Sequence, residues 1–383
     1  MTKLKREFQV FVKPVGARCN LRCRYCYYID KEKIITGKKI QLMSDEILEK
    51  YIIQHFEASS GPEVFFSWHG GEPTLAGLDF YRKALTFQKK HKPFSYTVYN
   101  GIQTNGTLID REWCEFLADN NFYVGVSIDG YGELHDRFRI NKDGRPSFQE
   151  AIEGYKLLRK FNVRTEILCV VNSVNVEKPI EVYRFFKELG AQFITFLPLV
   201  IRDASKKEKV SEMSVTSEKF GVFLCKIFDE WVSEDIGKIK IQIFEEAIRP
   251  AFNQEHTLCI FKKICGGVPV VELNGDFYSC DHYVDNEHYI GNISSSSIEQ
   301  MLSSEKQLYF GLEKLRSLPQ YCLECEVRDM CNGECPKNRF NNTPSGESGL
   351  NYLCHGYKIF FKHIMPFVQA VSAEWHRRNE KTM

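Results

Sequence analysis

The chain has no apolar run approaching the roughly 18 residues that a membrane-spanning helix needs. Its first fifteen residues, MTKLKREFQVFVKPV, carry charges but not the apolar stretch of an export signal. Net charge is nearly absent too: 51 basic residues face 50 acidic ones, a formal +1. No global field therefore draws in nucleic acid or an anionic membrane. Internal repeats and low-complexity segments are missing, and 43% of the residues are apolar, too many for a disordered chain. These absences predict a cytoplasmic globular protein with no membrane and no nucleic-acid partner. At 383 residues it is long enough for two domains.

What the chain has in excess is cysteine, 14 in all. Without an export signal, dense cysteine points to metal rather than disulfides. Cys114, Cys169 and Cys225 stand alone in strand or helix patterns and read as small buried hydrophobes. Cys19, Cys23 and Cys26 fall within eight positions, and eight more follow residue 258.

Strand-like runs occupy 8–15, 63–69, 97–104, 122–128, 164–171 and 192–200. Helical patterns lie between them. One is capped by Ser44, with Asp45 and Glu46 in its first turn and Ile47, Leu48, Tyr51, Ile52 and Phe56 facing inward. Others run over 110–120, 148–160 and 177–189. Six strands alternating with helices predict an α/β fold with parallel βα units, a barrel-like sheet short of eight repeats. In such sheets function gathers at the C-terminal ends of the strands. The cysteine triplet, HGGEP, TNGT and SIDG follow strands one to four in order, so all four motifs are expected on one rim. Residues 201–215 read as a polar connector, followed by a helix through Trp231. VPVVELNGDFYSC reads as a hairpin turning at Asn274-Gly275. Residues 351–375 read as one amphipathic helix.

Three clustered thiolates suit an iron–sulfur cube that leaves one iron open. Structural zinc wants four ligands, and the spacing C-x3-C-x2-C brings no histidine; the nearest, His55 and His69, lie on other elements. Zinc with a distant fourth ligand, or three reduced buried thiols, are the other readings of this triplet. The late C-x2-C pair is likewise open to zinc.

C-x3-C-x2-C with Tyr25 before its last cysteine resembles the radical S-adenosylmethionine enzymes. The resemblance implies that Cys19, Cys23 and Cys26 hold a [4Fe–4S] cluster whose open iron takes S-adenosylmethionine. It implies that Gly70, Gly71 and Glu72 hold the cofactor's amino group, and that Ser127 and Arg139 bind its ribose and carboxylate. Cys265, Cys280, Cys322, Cys325, Cys331, Cys335 and Cys354 resemble the seven-cysteine SPASM domain, with Cys259 as an eighth ligand. On that pattern Cys259, Cys265, Cys280 and Cys335 hold one auxiliary [4Fe–4S] cluster. Cys322, Cys325, Cys331 and Cys354 hold another. The implied architecture is a partial (β/α)6 TIM-like barrel over 1–235, then a SPASM domain with a C-terminal helix over 236–383.

Within that class KPVGARCNLRCRYCYY, GGEPTLAG, QTNGTLID, VGVSIDG, CDHYV and CNGECPKNRF are similar to the anaerobic sulfatase-maturating enzymes. The similarity implies oxidation of a cysteine or serine, in a Cys/Ser-x-Pro-x-Arg context of an unfolded sulfatase, to Cα-formylglycine. A flavodoxin or ferredoxin would donate electrons. Asp281 is expected to be the base, with its pKa raised by burial and by the adjacent cluster; the plainer reading is a hairpin-end carboxylate. Tyr28, Gln103 and His69 are expected at the substrate, His69 standing where some relatives have glutamine. Two alternatives stay open: a SPASM maturase that crosslinks other peptides, and a metal-bound scaffold or electron carrier. The first cysteine at residue 19 leaves no room for the leader-binding domain expected of the crosslinking class.

Overall fold

Alternation along Glu63–Trp68 buries Val64, Phe66 and Trp68, and Trp68 packs edge-on against Phe80 and Tyr81 at 5.7 Å each. Burying each such ring is worth about 1.5–3 kcal/mol, enough to fix which face of the strand turns inward. The computed structural model in which this is seen describes residues 7–31, 41–206 and 209–380. They form two units. The first comprises Met1–Ile128, His135–Glu166 and Gly266–Leu312; the second comprises Asp129–Leu134, Ile167–Cys265 and Glu313–Met383.

In the first unit β1 (Phe11–Val12), β2 (Glu63–Trp68), β3 (Thr97–Thr104) and β4 (Tyr123–Ser127) are parallel neighbours in that order. On its other side β1 pairs in parallel with β8 (Val270–Val271), Phe11 facing Val270. The antiparallel strands β9 (Asp276–Tyr278) and β10 (Tyr289–Asn292) follow it. The expected turn at Asn274-Gly275 joins β8 to β9, with Gly275 at φ +85°. Ser44 caps the helix Asp45–Ala58 by accepting from the Ile47 N–H. Helices Arg111–Asp119 and Phe148–Lys160 lie where the periodicity put them. The helix Leu78–His91 was not singled out by the sequence pattern.

The chain enters the second unit within β5 (Arg164–Val171), which pairs in parallel with β6 (Phe193–Pro198), and β6 with the two-residue β7 (Lys240–Ile241). The helices Ser217–Glu234 and Cys354–Glu380 cross there at very close range. A side-chain carbon on Gly356 would sit 1.9 Å from the Ser217 carbonyl oxygen, so only glycine fits, and the Gly356 N–H donates to Ser217 Oγ at 2.9 Å. That crossing fixes Cys354, two residues earlier. The final helix begins three residues later than expected and runs on to Glu380.

Candidate active site

The cysteine loop leaves β1 and is clamped from two sides. Arg22 N–H donates to the Ile140 carbonyl and Arg24 N–H to that of Phe138, both at 2.8 Å. This pairing lays Arg139 over the Tyr25 ring at 5.4 Å. On the other side Gly71 N–H donates to Gly16 O and Glu72 N–H to Arg18 O, at 2.8 and 2.7 Å. A side-chain carbon on Gly71 would lie 2.0 Å from Arg18 O. The close approach this glycine permits is therefore to the chain's own cysteine loop.

Glu72 is buried at the centre of the rim. Its Oε1 accepts from Thr74 N, Thr74 Oγ1 and Thr104 Oγ1, and its Oε2 from Asn105 N. Burial still pushes its pKa up, against those four donors. Asn105 continues the network, its Nδ2 donating to Asn20 Oδ1 at 2.9 Å and lying 3.7 Å from Cys19 Sγ. One carboxylate thus ties the ends of β2 and β3 together, and Asn105 links them to the triplet. Cys19 Sγ accepts from Leu21 N–H at 3.3 Å. Burial first, then the Glu72 charge, push its thiol up to about 12, so the proton leaves only with a strong Lewis acid to replace it. Gln103 donates from Nε2 to Ser127 Oγ at 3.2 Å across Gly125.

Asp281 follows β9, next to Cys280, and departs from expectation. Burial acts to raise its pKa, but the Lys13 ammonium, 2.6 Å from Oδ1, holds it down at about 2. Lys13 carried no signal in the sequence, since a lysine in an N-terminal strand reads as solvated. It is only 1% exposed and lies 4.3 Å above the Tyr28 ring. Tyr27 and Tyr28 divide their duties. Tyr28 is buried among Val270, Tyr278 and Val284 and donates its hydroxyl to Glu272, whereas Tyr27, half exposed, donates to Asp281 Oδ2. Glu272 is pushed up to about 7 by its burial. His69 stacks on Phe11 at 3.9 Å, and neither ring nitrogen has a hydrogen-bond partner among the described residues. Its removal from bulk water, then the Lys13 charge, lower it to about 3 and keep it neutral.

All fourteen cysteines are free thiols, with Cys114 and Cys169 buried and Cys225 partly so. In the second unit one cavity is lined by Cys322, Cys325, Cys331 and Cys354. Cys259, Cys265 and Cys335 also lie in this unit, and Cys280 in the first. Among the described residues no three His, Cys, Asp or Glu side chains converge as the ligands of a single ion would. A four-iron cube asks for less, since each thiolate binds its own iron. The donor set fits it: three thiols on one pinned loop, and four more around one cavity.

A family model for the radical SAM superfamily matches residues 14–186, and one for the iron-sulfur cluster-binding SPASM domain matches 265–326. A serine-type anaerobic sulfatase-maturating enzyme of Bacteroides thetaiotaomicron is 46% identical over 96% of this chain and 92% of its own length. The chain belongs to the anaerobic sulfatase-maturating enzymes. A cysteine-type member from Clostridium perfringens is 32% identical over 93% of this chain and 96% of its own. The solved structure of native anSMEcpe with bound AdoMet and Cp18Cys peptide covers 96% of this chain and 99% of its own, with a TM-score of 0.86 at 30% identity. In this maturase family the α/β fold expected from the strand pattern is present, with the later antiparallel strands in place. No helix among the described residues is long and apolar enough to cross a membrane.

Proposed function

We propose that this cytoplasmic enzyme oxidises a serine or cysteine of an unfolded sulfatase polypeptide, in a Cys/Ser-x-Pro-x-Arg context, to Cα-formylglycine. The observation that carries the reading is the rim itself: the cysteine loop, GGEP and TNGT locked together through Glu72 and Asn105, in a chain 46% identical to a serine-type maturase. When bound at Cys19, Cys23 and Cys26, the cluster and S-adenosylmethionine supply the radical that removes a Cβ hydrogen, and auxiliary clusters on the later cysteines give the second electron an acceptor. A flavodoxin or ferredoxin is the proposed electron source.

The chain's own residues do the rest. Among the described residues Glu72 Oε2 accepts one donor, Asn105 N–H, and so has room for the cofactor's ammonium. Arg139 and Ser127 take its carboxylate and ribose, and Tyr25 supports Arg139. The substrate must also lose its hydroxyl or thiol proton. Loss of the Cβ hydrogen atom makes that proton far more acidic, so Asp281 can accept it although Lys13 keeps the carboxylate ionised. His69, stacked and neutral, offers its unpartnered nitrogens to the same hydroxyl or thiol, beside Gln103; Tyr28 forms the wall behind.

Two peptides carrying the motif with serine or cysteine test this with reconstituted enzyme, S-adenosylmethionine and a reductant. Mass spectrometry should show loss of two hydrogens from the serine peptide, or that loss with sulfur exchanged for oxygen from the cysteine one. Cofactor cleavage that leaves both peptides unchanged would overturn the substrate assignment. Asp281→Asn should retain iron and cofactor cleavage but lose formylglycine; full product would remove Asp281 from the proton step.

A further inference from the structure

Lys314, in the last turn of the helix Glu305–Arg316, is 1% exposed. Its ammonium donates to the carbonyls of Cys259 at 2.9 Å and Ile260 at 2.7 Å, and has no carboxylate partner among the described residues. An ammonium carries three N–H bonds, so one remains for another acceptor. A buried cation without a counter-anion costs several kcal/mol, which two carbonyl dipoles only partly offset. Cys259, Cys265 and Cys335 are all close enough to act electrostatically on it. The buried Glu334 makes no ion pair with it; its Oε2 accepts instead from Asn338 and Asn351. Arg339 frames the same place and also lacks a carboxylate partner among the described residues. It donates to the carbonyls of Gly333, Asn332 and Glu334, and to that of Lys314 itself at 2.5 Å.

We propose that Lys314 is the counter-cation of an auxiliary iron–sulfur cluster held in part by Cys259, Cys265 and Cys335, and that its charge and third N–H raise that cluster's reduction potential. This rests on the reading of those cysteines as cluster ligands. A four-thiolate cluster is net negative, and an added electron makes it more so. A desolvated ammonium beside it therefore stabilises the reduced form more than the oxidised one, through net charge and hydrogen bonding to sulfur. A cluster poised higher is a better acceptor for the electron the substrate must lose.

The test uses full-length protein in which Cys19, Cys23 and Cys26 are replaced by alanine, so that only auxiliary clusters contribute. Iron content and a redox titration followed by electron paramagnetic resonance are read for Lys314 and for Lys314→Gln, which keeps a donor to the carbonyls but not the charge. One auxiliary potential should fall by tenfold or more in its equilibrium constant, about 59 mV for one electron. Lys314→Arg should restore it. Full iron with unchanged potentials overturns the proposal. Should Lys314→Gln lose iron, recovery of iron in Lys314→Arg supports the need for charge, and failure of both variants overturns it. Absence of iron in the Lys314 parent would instead sink the ligand reading, which keeps the two failures apart.

Discussion

Replacing Lys13 with methionine breaks a buried ion pair while leaving the apolar stem of the side chain in place. At 2.6 Å the pair's attraction is about 6 kcal/mol with an effective dielectric of about 20. Desolvation of the two ions takes back most of this, so the intact pair adds little net stability. Removing one partner is a different matter, because Asp281 is left charged and 7% exposed; such orphans cost about 3–5 kcal/mol. Anaerobic urea unfolding of the holoenzyme should then show the first unit's midpoint falling by about 1 M or more, at a slope of about 3 kcal/mol per M. The decisive variant is the double one. Lys13→Met with Asp281→Asn removes the orphaned charge and should be more stable than Lys13→Met alone, a non-additivity that independent sites do not show. A double variant at or below Lys13→Met would refute the pairing as the source of the loss.

Two further outcomes follow from the same neighbourhood. Glu272 has a folded pKa of about 7 against its ordinary 4.5, so the folded state holds that proton more tightly than the unfolded chain. Its contribution is complete below about pH 4.5 and is lost as pH rises through about 7, a swing of about 3 kcal/mol. Glu272→Gln should therefore gain on the parent by that amount between about pH 5 and 8 in urea titrations; parallel pH curves would contradict the burial argument. Gly71→Ala forces a carbon to within 2.0 Å of Arg18 O and must displace the cysteine loop. A shift near 1 Å should slow 5′-deoxyadenosine formation about 100-fold, read by chromatography, with the second unit's iron retained. Unchanged cofactor cleavage would show that the loop tolerates the intrusion.

The sequence by itself determined the local elements and the clustering of the thiols proposed as cluster ligands. Apolar alternation made Glu63–Trp68 a strand, and Ser44 with two acidic neighbours started a helix, because period and capping are properties of a few adjacent residues. Cys19, Cys23 and Cys26 lie close in the chain, so their proximity in space followed from spacing alone. Some elements were less legible: β7 is two residues long, and the buried face of Leu78–His91 sets the small Ala84 and the polar Gln88 beside Phe80 and Tyr81. Only the tertiary structure could pair Lys13 with Asp281, 268 residues away, by setting β1 beside β8 and turning the hairpin back over the rim. That contact reversed the expected shift of Asp281, since at 2.6 Å a cation outweighs the desolvation that sequence reasoning could foresee. Tyr28 and Tyr27 differ for a similar reason: adjacent side chains point apart, and only packing decides which one meets the core. Lys314 follows the same rule. A lysine in an exposed-looking helix became a buried charge because the cysteine loop at Cys259 closes over it, and the energetic demand for a counter-anion exists only once that loop is in place.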